Sequence, residues 1–303
     1  MISEAVLQAL KKFVPEENIS LREPMAAHTT FRVGGPADCF LQLENTDQLI
    51  HVQKYLRLVG VPFYILGNGS NILVGDMGYS GVILQIGQRM SGIETEGCRI
   101  RAQAGAALAQ VARTAMEQGL TGLEFASGIP GTVGGGIVMN AGAYGGELSD
   151  VTERVTVVNR DDEVMELDNE TMEFGYRTSV VRANALTVTE AVFRLKAGSR
   201  EQIREKMEEL AARRREKQPL EFPSAGSTFK RPTGYFAGKL IMDAGLRGYQ
   251  SGGARVSDKH CGFVVNTGNA TAQDVADVIH EVQDRVKEKF HVELEPEIQF
   301  LGV

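Results

Sequence analysis

The glycine-rich segment from Phe125 to Gly146 constrains the fold of this chain more than any other stretch. It contains eight glycines and one proline, Pro130, and no charged residue. Its length suits a membrane-spanning helix, but these glycines and the proline would expose backbone polar groups to lipid. Apolar residues such as Ile129 and Val133 recur within it, which disfavours a flexible linker. The segment therefore predicts an ordered system of loops.

Length and charge limit the number of domains and the kinds of partner. A chain of 303 residues exceeds the size at which single hydrophobic cores stop growing, so two or three packed units are expected. The formal charge is -7 and the pI is near 5.4, which gives no general attraction to nucleic acid or anionic lipid. We therefore expect no nucleic-acid partner and no membrane partner.

The cysteines and the first residues indicate a cytoplasmic protein. Cys39, Cys98 and Cys261 are odd in number, far apart and without C-x-x-C spacing, so neither a disulfide framework nor a metal site is expected. Residues 1–13 read as an amphipathic helix whose basic residues follow its apolar ones, the reverse of a secretory signal peptide.

Short apolar runs separated by glycine, with a few short helices, indicate an α+β fold from about Thr30 to Ala197. Helices are predicted over 47–58, opened by Thr46, and over 107–118, from apolar residues at helical spacing. The predicted strands are 38–43, 62–66, 81–86, 99–104, 155–159 and 187–195.

The composition changes after Gly198, which marks the domain boundary. A charged helix is predicted over 200–217, and its run Arg213-Arg214-Arg215 lies among glutamates, which favours a solvated helix face over a phosphate site. A second long helix begins at Thr271, where T-A-Q-D resembles a capping box.

Two glycine-rich loops could hold phosphate. The first, 67–71, has the sequence G-N-G-S-N and follows an apolar run. Such a loop can turn successive backbone N–H groups toward an anion, although an ordinary hairpin turn has the same signature. The second, 128–136, has G-x-x-G-x-x-G spacing, but Pro130 removes a donor and no later acidic ribose ligand is evident, so a Rossmann site is excluded. Two such loops meeting across a pyrophosphate would indicate a dinucleotide.

Seven ordered motifs between about residues 24 and 302 resemble the UDP-N-acetylenolpyruvoylglucosamine reductase family, also called UDP-N-acetylmuramate dehydrogenases, in its shorter class that lacks a substrate-covering tyrosine loop. They are H-T-T-F-R-V-G-G at 28–35, G-N-G-S-N at 67–71, G-I-P-G-T-V-G-G at 128–135, N-A-G-A-Y at 140–144 and G-Y-R-T-S at 175–179, then S-A-G-S-T-F-K-R-P at 224–232 with G-K-L-I at 238–241, and E-P-E-I at 295–298.

The resemblance implies a fold and its domains. It implies a vanillyl-alcohol-oxidase-like (PCMH-type) FAD-binding domain of two α+β subdomains, followed by a smaller α+β substrate-binding domain. The expected ranges are a lead-in at 1–24, the FAD domain at 25–198 with subdomains of about 25–80 and 81–198, and the substrate domain at 199–303, whose tail 292–303 returns to the active site.

FAD is the implied cofactor, bound without a covalent link. In some relatives of the broader fold a histidine is flavinylated, and His28 would be the candidate here. The resemblance to the reductase family is much closer, however, and that family binds FAD non-covalently. The implied FAD contacts are Gly67, Asn68, Gly69, Ser70, Asn71, Ile129, Pro130, Gly131, Thr132, Gly134, Gly135, Asn140, Gly142 and Ala143.

The implied reaction reduces the enolpyruvyl group of a UDP-amino sugar to a lactyl ether, with hydride passing from NADPH through the flavin, in peptidoglycan precursor synthesis for cell-wall growth and division. Ser227 matches the family's proton donor, and a carboxylate enolate is basic enough to take a serine proton. Arg177 matches the residue that grips the substrate carboxylate, and Glu297 the residue that stabilises or protonates the enolate. Alone, Ser227 would be a turn hydroxyl and Arg177 a surface ion pair; Glu293, Glu295 and Glu297 alternate along an expected strand, whose shared face would be solvated.

Substrate contacts are expected near Ser227, where basic residues could meet a pyrophosphate, although each separately is typical of a solvated surface. They are Lys230, Arg231, Tyr235, Lys239, Arg247 and Asn266. We expect a monomer. Two other functions stay open: a flavin-dependent oxidase of a small alcohol or sugar on the same fold, and a non-catalytic nucleotide-binding module. The sequence does not decide between NADPH and NADH.

Overall fold

The computed structural model describes residues 1–302, which divide into two compact units that each combine separate stretches of chain. Unit 1 comprises Met1–Ser20, Cys39–Asn68 and Gly81–Arg214, and unit 2 comprises Leu21–Asp38, Gly69–Ser80 and Arg215–Val303. The units are therefore discontinuous, whereas the domains predicted from the sequence are continuous ranges. The assignment of FAD and substrate to those ranges stays a prediction.

The five predicted helices lie close to their expected positions, whereas the sequence patterns did not predict the short helices at 133–138, 180–183 and 237–243. In chain order the helices are α1 (Glu4–Leu10), α2 (Thr46–Leu58), α3 (Leu108–Glu117), α4 (Val133–Val138), α5 (Val180–Ala183), α6 (Arg200–Lys217), α7 (Ala237–Asp243) and α8 (Ala272–Phe290). Helix α6 has the predicted bounds, and the capping box at Thr271 and Asp274 is confirmed at the start of α8. Asn45, and not Thr46, caps α2, because the Asn45 side chain accepts from the backbone N–H of Gln48.

The strands are short, as predicted. In chain order up to residue 197 they are β1 (Ile19–Pro24), β2 (Pro36–Gln42), β3 (Phe63–Leu66), β4 (Ile72–Val74), β5 (Tyr79–Gln85), β6 (Ile93–Glu96), β7 (Arg99–Gln103), β8 (Leu120–Thr121), β9 (Gly142–Ala143), β10 (Gly146–Glu147), β11 (Thr152–Val158), β12 (Val164–Asp168), β13 (Thr187–Arg194) and β14 (Lys196–Ala197). Of these, β4 lies in unit 2, and β1, β2 and β5 cross from one unit to the other. Unit 2 adds β15 (Gln250–Ser251), β16 (Ala254–Val256), β17 (Val264–Asn266) and β18 (Gln299–Leu301) to β4.

Two sheets organise unit 1. One has the strand order β12-β11-β13-β7-β6 and is antiparallel throughout. The other has the order β1-β2-β5-β3, with β3 and β5 parallel, and its first three strands contain points at which the chain passes between units. A single apolar core includes the buried faces of α1, α2 and α3, in keeping with their spacing of apolar residues.

Unit 2 has its own core, built around α8. Val275, Val278, Val282 and Val286 of this helix are buried, as its period predicts. Strands β15, β16 and β17 form an antiparallel sheet, and β18 pairs in parallel with β4. Glu293, Glu295 and Glu297 do not form the expected strand, because the chain is irregular from 291 to 298 and becomes a strand only at Gln299.

Two absences within residues 1–302 bear on the sequence predictions. No helix in this range combines the length and the apolar character that crossing a membrane requires. No cluster of three or more histidine, cysteine or acidic side chains in the same range could hold a metal ion.

Candidate active site

The two predicted phosphate loops meet within unit 1. The side-chain amide of Asn68 donates to the carbonyl oxygen of Pro130 at 2.9 Å. A Cβ placed on Gly67 would lie 2.5 Å from Oγ1 of Thr132, so only glycine permits this approach. The structure therefore brings together two segments separated by some sixty residues of sequence, as the dinucleotide hypothesis requires.

Helix α4 begins in the second loop, at the buried Thr132. The Thr132 hydroxyl accepts from the N–H of Gly135, and the Gly134 N–H donates to the Ala104 carbonyl at 2.8 Å. A Cβ on Gly134 would contact Ala104 at 3.0 Å, whereas one on Gly135 would meet only Oγ1 of Thr132, at 3.5 Å. Gly134 is thus a packing glycine, and Gly135 borders open space.

This geometry fits a bound pyrophosphate. Backbone at 67–68 and 130–132 is packed closely without intervening side chains, and Gly135 leaves room beside Thr132 for a group that must approach the main chain. Ile129 is half-buried against the unit 1 core, and Gly131 accepts a backbone hydrogen bond from Leu108.

The later half of the first loop belongs to unit 2. Gly69 is buried with φ +59°, and a Cβ there would lie 2.0 Å from the His28 carbonyl oxygen, so this glycine is required by packing within the protein itself. Ser70 is half-buried, and the Asn71 side-chain amide donates to the Glu297 carbonyl at 3.1 Å.

Asn140 braces the turn that carries Arg177. Its buried side chain donates to the Gly175 carbonyl at 3.2 Å and accepts from the Ser149 N–H at 2.9 Å. Gly175 and Thr178 exchange backbone hydrogen bonds, which places Tyr176 and Arg177 at the tip of a two-residue turn.

Arg177 itself has φ +58°, and its guanidinium donates to the Gly142 carbonyl at 3.2 Å. Gly142 and Ala143 form β9, which pairs with β10. The guanidinium carbon also lies 5.4 Å from the centre of the Tyr176 ring. A left-handed conformation in a non-glycine residue is uncommon, and it persists here because the turn and its brace fix the backbone.

Ser227 and Glu297 both belong to unit 2, where Thr228, the residue after Ser227, forms a backbone hydrogen bond with Glu297. The Glu297 N–H donates to the Thr228 carbonyl at 2.8 Å. Phe229 forms a β-bridge with Pro296, and the Lys230 N–H donates to the Glu295 carbonyl at 2.8 Å. Ser227 is exposed and Glu297 half-buried, so both are accessible to a ligand. Arg177 belongs to unit 1.

The predicted substrate contacts lie in unit 2, and several already have protein partners. Lys230 pairs with Glu295, and Lys239 with Asp243. Arg247 donates to the Asp258 carbonyl.

Arg231 and Tyr235 lie in the exposed segment that precedes α7. The Arg231 guanidinium lies 3.9 Å from the Phe236 ring centre, and its Nε donates to the Tyr235 carbonyl. Asn266 is buried, and its amide bonds to backbone of Phe31, Gly268 and Ala270, which makes it a brace of its own loop.

Arg214 corrects the prediction that the run 213–215 is a solvated face. Arg213 pairs with Glu209, but the Arg214 guanidinium is packed against the second loop: a Cβ on Gly128 would come within 2.7 Å of its Nη1. Burial lowers the pKa of Arg214, opposed by a hydrogen bond with Tyr144, and within residues 1–302 its Nε is buried without a partner. The sequence alone does not distinguish Arg214 from Arg213 and Arg215. The distinguishing feature is its contact with the second glycine loop, which only the structure shows.

Two family models match separate parts of the chain. Residues 37–168 match the family described as FAD binding domain, and residues 218–301 match the family described as UDP-N-acetylenolpyruvoylglucosamine reductase, C-terminal domain. An alkyldihydroxyacetonephosphate synthase structure shares the fold over 65% of this chain and 41% of its own, at 14% identity and a TM-score of 0.52. The FAD-binding match and the shared fold define an FAD-binding α+β flavoprotein, as predicted.

Closer relatives give the family. A UDP-N-acetylenolpyruvoylglucosamine reductase of Caldanaerobacter subterraneus subsp. tengcongensis is 51% identical over 99% of both chains, and one of Clostridium perfringens is 50% identical over 97% of this chain and 96% of its own. The crystal structure of the Thermus caldophilus enzyme matches at 35% identity and a TM-score of 0.80, covering 93% of this chain and 98% of that one. The chain belongs to the UDP-N-acetylenolpyruvoylglucosamine reductase family.

Proposed function

We propose that this protein reduces UDP-N-acetylglucosamine enolpyruvate to UDP-N-acetylmuramate with NADPH and FAD, as a monomer in the cytoplasm, for peptidoglycan precursor synthesis. The net reaction adds one hydride and one proton across the enolpyruvyl C=C bond. Membership of the reductase family and the FAD-binding match support this activity. Bound FAD would supply the hydride transfer between NADPH and the substrate.

The two loops of unit 1 would hold the FAD pyrophosphate without a covalent bond. Gly67 and Asn68 would contribute from the first loop, and Pro130, Thr132 and Gly135 from the second, where the main chain is accessible. The wider predicted set includes Gly69, Ser70, Asn71, Ile129, Gly131, Gly134, Asn140, Gly142 and Ala143. The packing of Gly69, Gly134 and Asn140 supports an indirect role for these three, in shaping the loops.

Ser227 would supply the proton. Hydride addition leaves an enolate of the substrate carboxylate, which is a stronger base than the alkoxide of serine. The enolate carbon can therefore take the Ser227 proton, so that the O–H bond of Ser227 breaks as the second substrate C–H bond forms. Glu297 would stabilise or protonate the enolate from the adjacent chain segment. The exposure of Ser227 and the backbone hydrogen bond between its neighbour Thr228 and Glu297 support both assignments.

Arg177 would orient the substrate carboxylate. A guanidinium offers two parallel N–H donors to a carboxylate, and the rigid turn at 175–178 fixes where they begin. One guanidinium N–H of Arg177 already donates to the Gly142 carbonyl. The position of Arg177 therefore depends on the segment at Gly142, which is itself predicted to contact FAD.

The UDP portion would lie against basic residues of unit 2. Lys230, Arg231, Lys239 and Arg247 remain the proposed contacts, with Tyr235 and Asn266. All four cations have internal partners, so substrate phosphate would compete with those partners. Arg214 joins the proposal as a partly buried cation at the second loop, available to an anionic ligand.

The observation that best supports the proposal is the backbone hydrogen bond from the Glu297 N–H to Thr228, the residue after Ser227, in a member of this family. The test is anaerobic NADPH oxidation by the flavoprotein, with and without UDP-N-acetylglucosamine enolpyruvate. We expect the substrate to accelerate oxidation strongly. Rapid flavin reoxidation by air with no response to that substrate would instead indicate an oxidase, and a purified protein without flavin would indicate a binding module.

A further inference from the structure

We propose that Thr228 is a positioning residue that fixes the Ser227 hydroxyl relative to Glu297 during proton delivery. The inference rests on the proposed function of the site, and it concerns a residue whose side chain reaches no ligand, because Thr228 is 0% exposed. The two neighbours of Ser227 differ, because Gly226 borders open space and Thr228 is buried. The preceding Gly226 has φ +77° and no atom within 4 Å of an added Cβ, so that side of the turn is open.

The backbone and the hydroxyl of Thr228 form hydrogen bonds with two other parts of the chain, residues 262–264 and Glu297. Its N–H donates to the Gly262 carbonyl at 2.8 Å, and its carbonyl accepts from the Glu297 N–H at 2.8 Å. Its hydroxyl oxygen accepts from the Val264 N–H at 3.0 Å, and this bond is buried. Two segments, 262–264 and the one at Glu297, are thereby tied to the residue directly after Ser227.

The Gly262 segment is itself held in place. The Gly262 N–H donates to Nδ1 of His260 at 3.1 Å, which makes Nδ1 the acceptor and leaves the proton of the neutral ring on Nε2. His260 also packs edge-on against Phe263, with ring centres 5.0 Å apart. Burial lowers the pKa of His260, which favours this neutral form.

The side-chain bond is the part of this arrangement that a substitution can remove. Backbone bonds of Thr228 survive any replacement, but valine, which has the same shape, has no acceptor for the Val264 N–H. The strand β17 would then shift relative to residue 228, and with it the position of Ser227 beside Glu297. A displacement of about 1 Å in a reacting group can cost about 10² in rate.

The test compares Thr228→Val with Thr228→Ser in anaerobic stopped-flow measurements, with rates normalised to bound FAD. Flavin reduction by NADPH should stay within about twofold of the unsubstituted protein. Reoxidation by UDP-N-acetylglucosamine enolpyruvate should slow by about tenfold to 10² for valine, and serine, which keeps the acceptor, should restore most of it. Thr187→Val is the matched control, because the buried Thr187 hydroxyl likewise accepts a hydrogen bond, from Gln53, in unit 1.

The outcomes separate this inference from the proposed function. Equal slowing of both half-reactions, or a Thr228→Val rate no lower than that of Thr187→Val, overturns the positioning role. If valine yields no folded flavoprotein, Thr228→Cys against Thr228→Ser makes the same comparison at equal size, since a thiol is a weak acceptor; equal reoxidation rates then overturn it. An unsubstituted flavoprotein that NADPH reduces but the enolpyruvyl substrate does not reoxidise would contradict the proposed function instead.

Discussion

Replacing Ser227 with alanine tests the assignment of the proton donor. Ser227 is exposed, so the loss of its hydroxyl should change the free energy of unfolding by no more than about 0.5 kcal/mol. The backbone bonds of Thr228 to Gly262 and Glu297 do not involve Ser227 and should remain. A positioned proton donor is worth about 10² to 10⁴ in rate, or about 3 to 5 kcal/mol of activation free energy.

The assay separates the two half-reactions under anaerobic conditions. Bleaching of the flavin by NADPH requires no proton at the substrate carbon and should proceed at close to the normal rate. Reoxidation by the enolpyruvyl substrate should be slowed by the full factor, and Ser227→Cys should recover part of it, because a thiol is the stronger acid. Equal slowing of both half-reactions would refute the assignment, and Glu297 would become the first candidate for the donor.

Four further experiments address the flavin linkage, the second glycine loop, the role of Arg177 and the stability of unit 2. Acid precipitation should release all flavin as free FAD, and flavin retained on the polypeptide would show covalent attachment. Gly135→Val should lower FAD affinity without lowering the melting temperature of the flavin-free protein, since a Cβ there meets only Thr132; unchanged flavin content after gel filtration would remove Gly135 from the site. Arg177→Lys should reduce turnover at saturating substrate although charge is kept, and an unchanged rate would return Arg177 to a surface role. Backbone N–H groups of Thr271 and Gly253 hold the pKa of Asp274 below its ordinary 3.8, so its stabilisation is present above that value and is lost as pH falls; Asp274→Asn should flatten the acid limb of urea-unfolding curves, and an unaltered limb would contradict this.

Local patterns predicted the elements whose residues carry a regular period. Helix α6 and the capping box of α8 follow from charge and apolar spacing, and the strand cores are within a few residues of their predicted ranges. Helix α4 could not be predicted, because glycine has a poor helix propensity. Two of its glycines are needed for packing. Gly134 lies against Ala104, and Gly136 lies so close to Leu108 and Leu148 that a Cβ would collide with them.

Tertiary contacts explain what the sequence could not provide. Short segments such as 69–80 join unit 2 because their partners are far away in sequence: the Asp76 carboxylate, for instance, accepts from the first N–H groups of α8. Arg214 looks like its neighbours until its contact with Gly128 is known. Conversely, the approach of the two glycine loops was predictable, because both compositions suited the same phosphate group.

In the proposed reaction this chain adds two hydrogens to the enolpyruvyl group of a UDP-sugar. Mass spectrometry of the UDP-sugar, after anaerobic incubation of the flavoprotein with NADPH and UDP-N-acetylglucosamine enolpyruvate, detects that product itself. We expect UDP-N-acetylmuramate in one-to-one proportion to the NADPH oxidised. NADPH oxidation that leaves the UDP-sugar unchanged, or peroxide formed in its place once air is admitted, would contradict it.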